Sequence, residues 1–359
     1  MDIIDKDIKI AHTLDGDFYH SKKYFELSKE KIFAKSWQLI SDKSNLDSKN
    51  SIKPVEYLGS YISEPLVLIK QADETVKCFS NVCTHRGNIL VNESCKLKEI
   101  TCKYHGRRFN NKGEFVFMPE FKEALNFPSK KDNLTELKIN KWKQFLFTSL
   151  NPAINFSSLI SEMDKRIGWM PIEKFKFDLK TSKDYYVNAN WALYCDNYLE
   201  GFHIPFVHED LNKTIDYSQY QTEIYKYSNL QIASGSSNES CFNLPKESPD
   251  FGKNIAAYYF WIYPNMMFNF YPWGLSVNIV KPLKKNLTKV EFKSYVWDEN
   301  KRQSGAGSIL DKVEKEDEEI VENVQKGVKS RFYKNGRFSP KMEKGVHHFH
   351  KLISNFILT

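Results

Sequence analysis

Arginine is scarce in this sequence. Only seven of its 52 basic residues are arginine, and the lysines are scattered along the chain rather than gathered into stripes. Nucleic-acid binders concentrate arginine forks and basic faces, so the net charge of +7 does not imply a nucleic acid. It reads as a lysine-rich composition, or as a basic docking face for an acidic protein partner. Long apolar runs are missing as well, so no membrane span is expected. The opening "MDIIDKDIKI" has neither a basic leader nor an apolar core, and a cytoplasmic protein is the expectation. No glycine-rich nucleotide loop follows a strand; "SGAGS" at 304–308 follows charged residues instead. Cysteine is limited to six residues, at 78, 83, 95, 102, 195 and 241. Such irregular spacing is no disulfide framework, and it points to metal binding.

What is present suits a globular protein. The 359 residues, with 41% hydrophobic and 14% aromatic content, are enough for two domains with a sizeable core. Apolar residues Tyr24, Phe25, Leu27, Ile32 and Phe33 predict a helix over 21–37. From about 38 to 150 the pattern is short β-like runs such as "YISEPLVLIK", "TVKCFSNVC", "EITCKYH" and "KQFLFTSL". Helices are then predicted over 158–168, from Trp191 through "WALYCDNYLEGFH", over 307–328 and over 343–355. Strands are expected at 220–233, 257–271, 275–281 and 288–297. The expectation is an α+β protein: an N-terminal helical segment over 1–37, a small all-β domain over 38–152, and a domain with an antiparallel sheet over 153–359.

Two short motifs carry the chemistry of the β domain. "CTHRG" supplies Cys83 and His85, and "CKYHG" supplies Cys102 and His105, with sixteen residues between the two pairs. A structural zinc would accept this donor set. Each arm, however, offers one thiolate and one imidazole, which suits a two-iron cluster whose irons differ, one held by both cysteines and the other by both histidines. Gly87 and Gly106 would let each loop turn tightly.

A second site is readable further on. "DNYLEGFHIPFVHED" holds His203 and His208, with Pro205 between them expected to end the helix and free His208. In "SILDKVEKEDEEIVENVQKGV", Leu310, Val313, Ile320, Val321, Val324 and Val328 fall within about 60° of Asp317 on a helical wheel. Asp317 is thus expected in the buried stripe, with Glu316, Glu318 and Glu319 pointing away. A carboxylate there needs a cation, an arginine or backbone amides. Two histidines and one carboxylate form the facial triad of non-haem Fe(II) oxygenases. Asp196, Asn197 and Glu200 share one helical face with His203 and could form a polar relay or an ordinary solvated face.

Together these segments resemble the Rieske non-haem iron oxygenases, in particular their α subunit or terminal oxygenase component of ring-hydroxylating type. "NVCTHRGNIL" and "CKYHGRRF" are similar to the Rieske [2Fe–2S] flanks, except that Arg107 stands where that branch often has Trp. "NWALYCDNYLEGFHIPFVH" is similar to the iron segment and "EDEEIVENVQKGVKS" to the third-ligand helix. "DNYLEGFHIPFVH", "WIYPNMMFNFYPWG" and "MEKGVHHFH" look closest to choline monooxygenase and its quaternary-ammonium relatives. The resemblance implies a Rieske cluster on Cys83, His85, Cys102 and His105, and a mononuclear Fe(II) on His203, His208 and Asp317. It implies Glu200 as the acidic link between the two metal sites, a helix-grip catalytic domain, and a homotrimer in which one chain's cluster serves its neighbour's iron. O₂ and a small organic molecule would be the substrates. With no flavin or nicotinamide segment, a separate reductase or ferredoxin would supply electrons. Trp261, Tyr263, Phe268, Phe270, Tyr271 and Trp273 could cage a quaternary ammonium group, could suit a flat aromatic substrate, or could be core.

Overall fold

Turn residues divide the segment after residue 34 into short pairing strands, and in the computed structural model these form a separate unit. The structure describes residues 2–44, 46–208, 219–235, 240–302 and 310–358. The chain divides into two units: Ala34–Ala153, and Met1–Phe33 together with Ile154–Thr359. The "SGAGS" segment and the expected helix start at 307–309 lie outside the described residues. No helix among the described residues is long and apolar enough to cross a membrane.

The Ala34–Ala153 unit is built from eleven strands: β1 Gln38–Asp42, β2 Ser51–Tyr57, β3 Glu64–Lys70, β4 Val76–Ser80, β5 Cys95–Lys96, β6 Glu99–Thr101, β7 Arg108–Asn110, β8 Phe115–Phe117, β9 Glu136–Leu137, β10 Ile139–Trp142 and β11 Phe145–Thr148. They make three antiparallel sheets, ordered β1-β11-β10, β5-β2-β3-β4-β9 and β6-β7-β8. The interior packs Ile52, Val67, Ile69, Phe79, Ile100 and Phe109 around Cys83 and Cys102. Both thiols therefore sit in the core, at the ends of loops.

The other unit carries one seven-stranded antiparallel sheet of β12 Lys176–Val187, β13 Gln221–Ile224, β14 Ser228–Ser234, β15 Ile255–Ile262, β16 Met266–Tyr271, β17 Gly274–Lys284 and β18 Leu287–Val296. Its order is β12-β18-β17-β16-β15-β14-β13. Three sequence expectations change here. The runs 220–233 and 257–271 are each two strands, the second pair broken at Tyr263–Asn265 between β15 and β16. Strand β12 is the third: its lysine-rich "KFDLKTSKDYYV" buries almost nothing and gives no apolar alternation. It is an edge strand with a bulge between Asp178 and Lys183, and edges are kept charged against further pairing. The expected helix over 21–37 is a short helix, Lys22–Ser28, followed by a π turn over Lys29–Phe33. The Phe156–Ile167, Leu310–Gly327 and Lys344–Leu358 helices also belong to this unit.

Candidate active site

In the β unit, both cysteine loops close in the same way. The Gly87 N–H donates to the Cys83 carbonyl (3.0 Å) and the Cys83 N–H to the Asn88 carbonyl (2.8 Å); Gly106 donates to Cys102 (3.0 Å) and Cys102 to Arg107 (2.7 Å). This turn requires a left-handed residue at its fifth position, and Gly87 and Gly106 have φ of 71° and 74°. The result is two matched loops facing each other. Cys83 and Cys102 are buried, while His85 and His105 are half-buried with ring centroids 4.9 Å apart. Thus thiols line the inner end and imidazoles the outer end.

The electrostatics suit metal ligation. Burial pushes the Cys83 thiol up. Burial works the same way on Cys102, but the N–H groups of Tyr104 and His105, the Cys83 thiol and the Asn88 amide (3.6 Å) outweigh it and favour the thiolate. Burial, helped by the charges of His105, Arg86 and Arg107, lowers the His85 pKa and keeps the ring neutral. His105 Nδ1 is buried without a hydrogen-bond partner among the described residues, as expected of a nitrogen reserved for a metal. The residues fit a [2Fe–2S] group with unlike irons.

Arg107 points inward. It is only 2% exposed, its guanidinium meets Asp132 Oδ1 at 2.7 Å and the Asp132 carbonyl at 3.1 Å, and it lies over the Phe115 ring. Thr84 also donates to the Asp132 carbonyl, at 2.8 Å. Asp132 therefore ties one cysteine loop to the other, and Arg107 is no part of a docking surface.

In the second unit, the helix expected from Trp191 onward stops at Tyr198. A second, four-residue helix, Ile204–Val207, follows, and Pro205 lies in its first turn, where a missing N–H costs nothing. Pro205 thus starts a helix rather than ending one, and His203 and His208 flank it as its two caps. Their rings are brought within 5.0 Å, centroid to centroid. Asp317, on the Leu310–Gly327 helix, comes between them: its Oδ1 is 3.5 Å from His203 Nε2 and 3.0 Å from His208 Nε2. One donor atom from each of these three residues lies within 4.8 Å of the others.

Each imidazole is oriented by a glutamate. Glu200 Oε1 holds His203 Nδ1 at 2.7 Å, while Oε2 accepts the backbone N–H groups of Phe202 and His203. Glu316 Oε2 holds His208 Nδ1 at 2.7 Å. With Nδ1 donating, Nε2 is the free lone pair on both rings, aimed at Asp317. Burial opposes charge on His208, yet hydrogen bonds and charges from Asp317 and Glu316 prevail and raise its pKa; a divalent cation would replace that proton. Two imidazole nitrogens and one carboxylate oxygen so grouped fit a facial triad.

Glu316 corrects the helical-wheel expectation that it points away. The wheel also misplaces part of the stripe. Ile320 and Val324 are 38% and 43% exposed, whereas Glu314 is 3% exposed and Gln325 is 2%. The buried face is rotated towards residues with hydrogen-bond partners. Gln325 accepts the Asn190 N–H at 2.7 Å, and Glu314 accepts the Tyr194 hydroxyl at 2.7 Å.

The shared face expected for Asp196, Asn197, Glu200 and His203 does not form, because the helix ends between them. Asn197 Nδ2 donates to Asp317 Oδ1 at 2.6 Å. Asp196 turns elsewhere, to the Tyr19 hydroxyl (2.7 Å) and His350 Nε2 (2.8 Å), and it does not line the cavity. The Leu14 N–H donates to His350 Nδ1 (3.1 Å), so Nε2–H donates to Asp196.

The triad opens into a cavity of about 120 Å³. Sheet register builds one wall: Gln231 opposes Tyr259, Tyr259 opposes Asn269, and Asn278 opposes Phe292. All five line the cavity, as do Tyr194, Tyr198, Tyr220, Tyr271 and Glu314. Of the six aromatic residues singled out in the sequence, Tyr271 alone is among the described lining residues. Trp261, Tyr263, Phe268, Phe270 and Trp273 are buried in the core. Tyr194, Tyr198 and Tyr220 escaped sequence reading because they lie outside the stretch where aromatics crowd together, and Tyr259, between Tyr258 and Phe260, has no local mark that separates it from its buried neighbours. Burial pushes the Glu314 carboxyl well above the usual range, and the charge of Asp317 adds to this against the Tyr194 hydrogen bond.

These two units correspond to two known domain families. Residues 36–134 match the Rieske [2Fe-2S] domain, and residues 169–358 match the ring hydroxylating alpha subunit (catalytic domain). The chain belongs to the ring-hydroxylating alpha-subunit family of Rieske oxygenases, and it is an oxidoreductase. Its β unit contains a Rieske [2Fe–2S] domain, which decides against zinc, and the catalytic domain of this family binds mononuclear iron. Chloroplastic choline monooxygenase of Beta vulgaris is 27% identical over 351 residues, covering 95% of this chain and 76% of that protein. The carnitine monooxygenase oxygenase subunit of Escherichia coli K12 is 29% identical over 361 residues, covering 96% and 93%. A quaternary ammonium Rieske monooxygenase, whose structure concerns carnitine oxidation by gut microbiota and inter-subunit electron transfer, matches with a TM-score of 0.79 at 25% identity, over 97% of this chain and 96% of that one.

Proposed function

We propose that this protein is a terminal oxygenase that hydroxylates a small quaternary ammonium compound of the choline, betaine or carnitine type. The observation that carries this reading is the cavity itself: the His203, His208 and Asp317 donor atoms converge at its edge, and tyrosines and Phe292 line it. Aromatic faces attract a cation that has no hydrogen to donate, and the relatives named for choline and carnitine act on such cations. A cavity of this size admits a compact headgroup; one of about 150 Å³ accepts benzene.

In this reading Cys83 and Cys102 hold one iron of the cluster, and His85 and His105 the other. His203, His208 and Asp317 hold the mononuclear iron. Bound there, the iron supplies O₂ activation with electrons delivered singly through the cluster. Glu200 and Glu316 keep both imidazoles in the ligating tautomer and restrict their rotation. Asn197 holds Asp317 in place. The aromatic wall positions an N-methyl carbon and excludes bulk water; hydroxylation of that carbon amounts to demethylation.

No flavin or nicotinamide site is readable, so a separate reductase or ferredoxin is the electron source. The inter-subunit electron transfer described for the quaternary ammonium relative supports transfer between chains, and in our reading the assembly is a trimer in which Glu200 joins a neighbour's cluster to this iron. The deciding experiment measures O₂ uptake by the reduced, iron-loaded protein against choline, betaine, carnitine and simple aromatics. Coupled uptake and N-demethylated or hydroxylated product are expected with a quaternary ammonium compound alone; product from the aromatics only would overturn the reading.

A further inference from the structure

One carboxyl group in the cavity is used by nothing described so far. Glu314 is 3% exposed and lines the cavity one helical turn before Asp317. Its Oε2 accepts the Tyr194 hydroxyl at 2.7 Å. Its Oε1 is buried with no hydrogen-bond partner among the described residues. A buried polar atom without a partner is rare and calls for an explanation. No lysine or arginine is among the described lining residues that could supply one.

The missing partner has a definable chemistry. Glu314 shares the described lining with rings of Tyr198, Tyr259, Tyr271 and Phe292 and with the uncharged amides of Gln231, Asn269 and Asn278. A quaternary ammonium group carries a full positive charge and no donor hydrogen. Such a group is stabilised by a carboxylate at van der Waals distance and by ring faces around it, and its charge favours the carboxylate of Glu314 over the neutral acid that burial favours in the empty cavity. We propose that Glu314 is the counter-ion that selects the cationic headgroup of the substrate, with Tyr194 fixing the carboxyl at the cavity wall. This rests on the quaternary ammonium reading above and adds a specificity-determining residue to it.

The site also explains why the carboxyl is placed on this helix. Asp317, three residues on, belongs to the iron site, so the same helix sets both the metal and the headgroup charge. A fixed distance between the two would keep a methyl carbon of the headgroup next to the reacting centre.

The test compares choline with its uncharged carbon isostere, 3,3-dimethyl-1-butanol, by calorimetric binding to the cluster-containing, iron-loaded protein. The wild type is expected to prefer the cation by about 100-fold. Glu314→Gln retains the shape and the Tyr194 contact, and should cut the preference at least about tenfold by weakening choline alone. Unchanged affinity for the isostere, together with the Rieske visible spectrum, reports that the cavity is intact. Glu314→Asp keeps the charge and should keep a preference for the cation. Glu314→Gln with the wild-type preference would overturn the role of Glu314 while leaving the substrate class standing. A wild type that binds both ligands equally would overturn the substrate class itself and this assignment with it.

Discussion

Glu316 Oε2 lies 2.7 Å from Nδ1 of His208, and in the function proposed above this contact makes Glu316 part of the iron site. A carboxylate behind a ligating imidazole fixes its tautomer and raises its basicity, and loss of such a partner typically lowers metal affinity about 10- to 100-fold. Glu316→Ala is therefore expected to lose mononuclear iron to a chelator at about that ratio, with the visible spectrum of the cluster unchanged. Iron retention equal to wild type in a chelator titration would show that the contact is incidental.

Asp317→Ala removes the donor that both imidazoles face. Turnover should be abolished and mononuclear iron occupancy should fall to background, while acid-labile sulfide and the cluster spectrum persist. Metal analysis and O₂ uptake on the same preparation check this. Full iron occupancy in the variant would shift the third donor elsewhere.

The contrast between these two neighbours shows what a sequence can and cannot reveal. The placement of Asp317 followed from helical periodicity, a property of the backbone. Glu316 becomes buried enough to matter only because His208 returns to the helix from a separate segment, which no local pattern records. The cysteine loops were fully legible, since each is closed by its own backbone and by a glycine with positive φ. Strand β12 was not, because an edge strand rich in lysine lacks the alternation that betrays a buried face. Glu314 and Gln325 look like surface residues in sequence, and their burial depends on Tyr194 and Asn190 from a distant helix. The cavity aromatics were misjudged for the same reason: sheet register, and not local density, selects which rings face inward.

The cluster assignment is tested through its potential. His85→Cys exchanges a neutral imidazole for a thiolate, which lowers the reduction potential of the pair of irons. Redox titration of the visible spectrum should report a lower midpoint with iron and sulfide retained. An unchanged midpoint would remove His85 from the ligand set.

The buried Arg107–Asp132 pair (2.7 Å) braces both cysteine loops. Breaking one partner of a buried pair leaves an uncompensated charge and costs on the order of 3–5 kcal/mol; Asp132 is partly exposed, so the lower end of that range is expected. Asp132→Ala should lower the temperature at which the cluster's visible circular dichroism is lost, before the far-ultraviolet signal changes. Coincident wild-type transitions would show that the pair contributes little.

Stability should also depend on acid. Burial lowers the pKa of His348 to about 4, below the ordinary histidine value of about 6.5. The unfolded chain therefore binds a proton that the folded chain refuses between those values. Stability is fully present above about pH 6.5, falls as the pH drops towards 4, and levels off below it; the loss is on the order of 3 kcal/mol. His348→Asn should flatten part of this fall in denaturant titrations run across the window, and an identical pH slope would place the effect on other groups.

The most direct measurement of the central claim is a single turnover under ¹⁸O₂. The protein is reduced, loaded with iron and mixed with a quaternary ammonium compound, and the product is analysed by mass spectrometry. One ¹⁸O atom per turnover is predicted, in the hydroxylated product or, after N-demethylation, in the released one-carbon aldehyde trapped before it exchanges with water, in amounts that follow mononuclear iron content and vanish in Asp317→Ala. Reoxidation of the cluster without labelled product from any quaternary ammonium compound, with label appearing in a simple aromatic instead, would contradict the account.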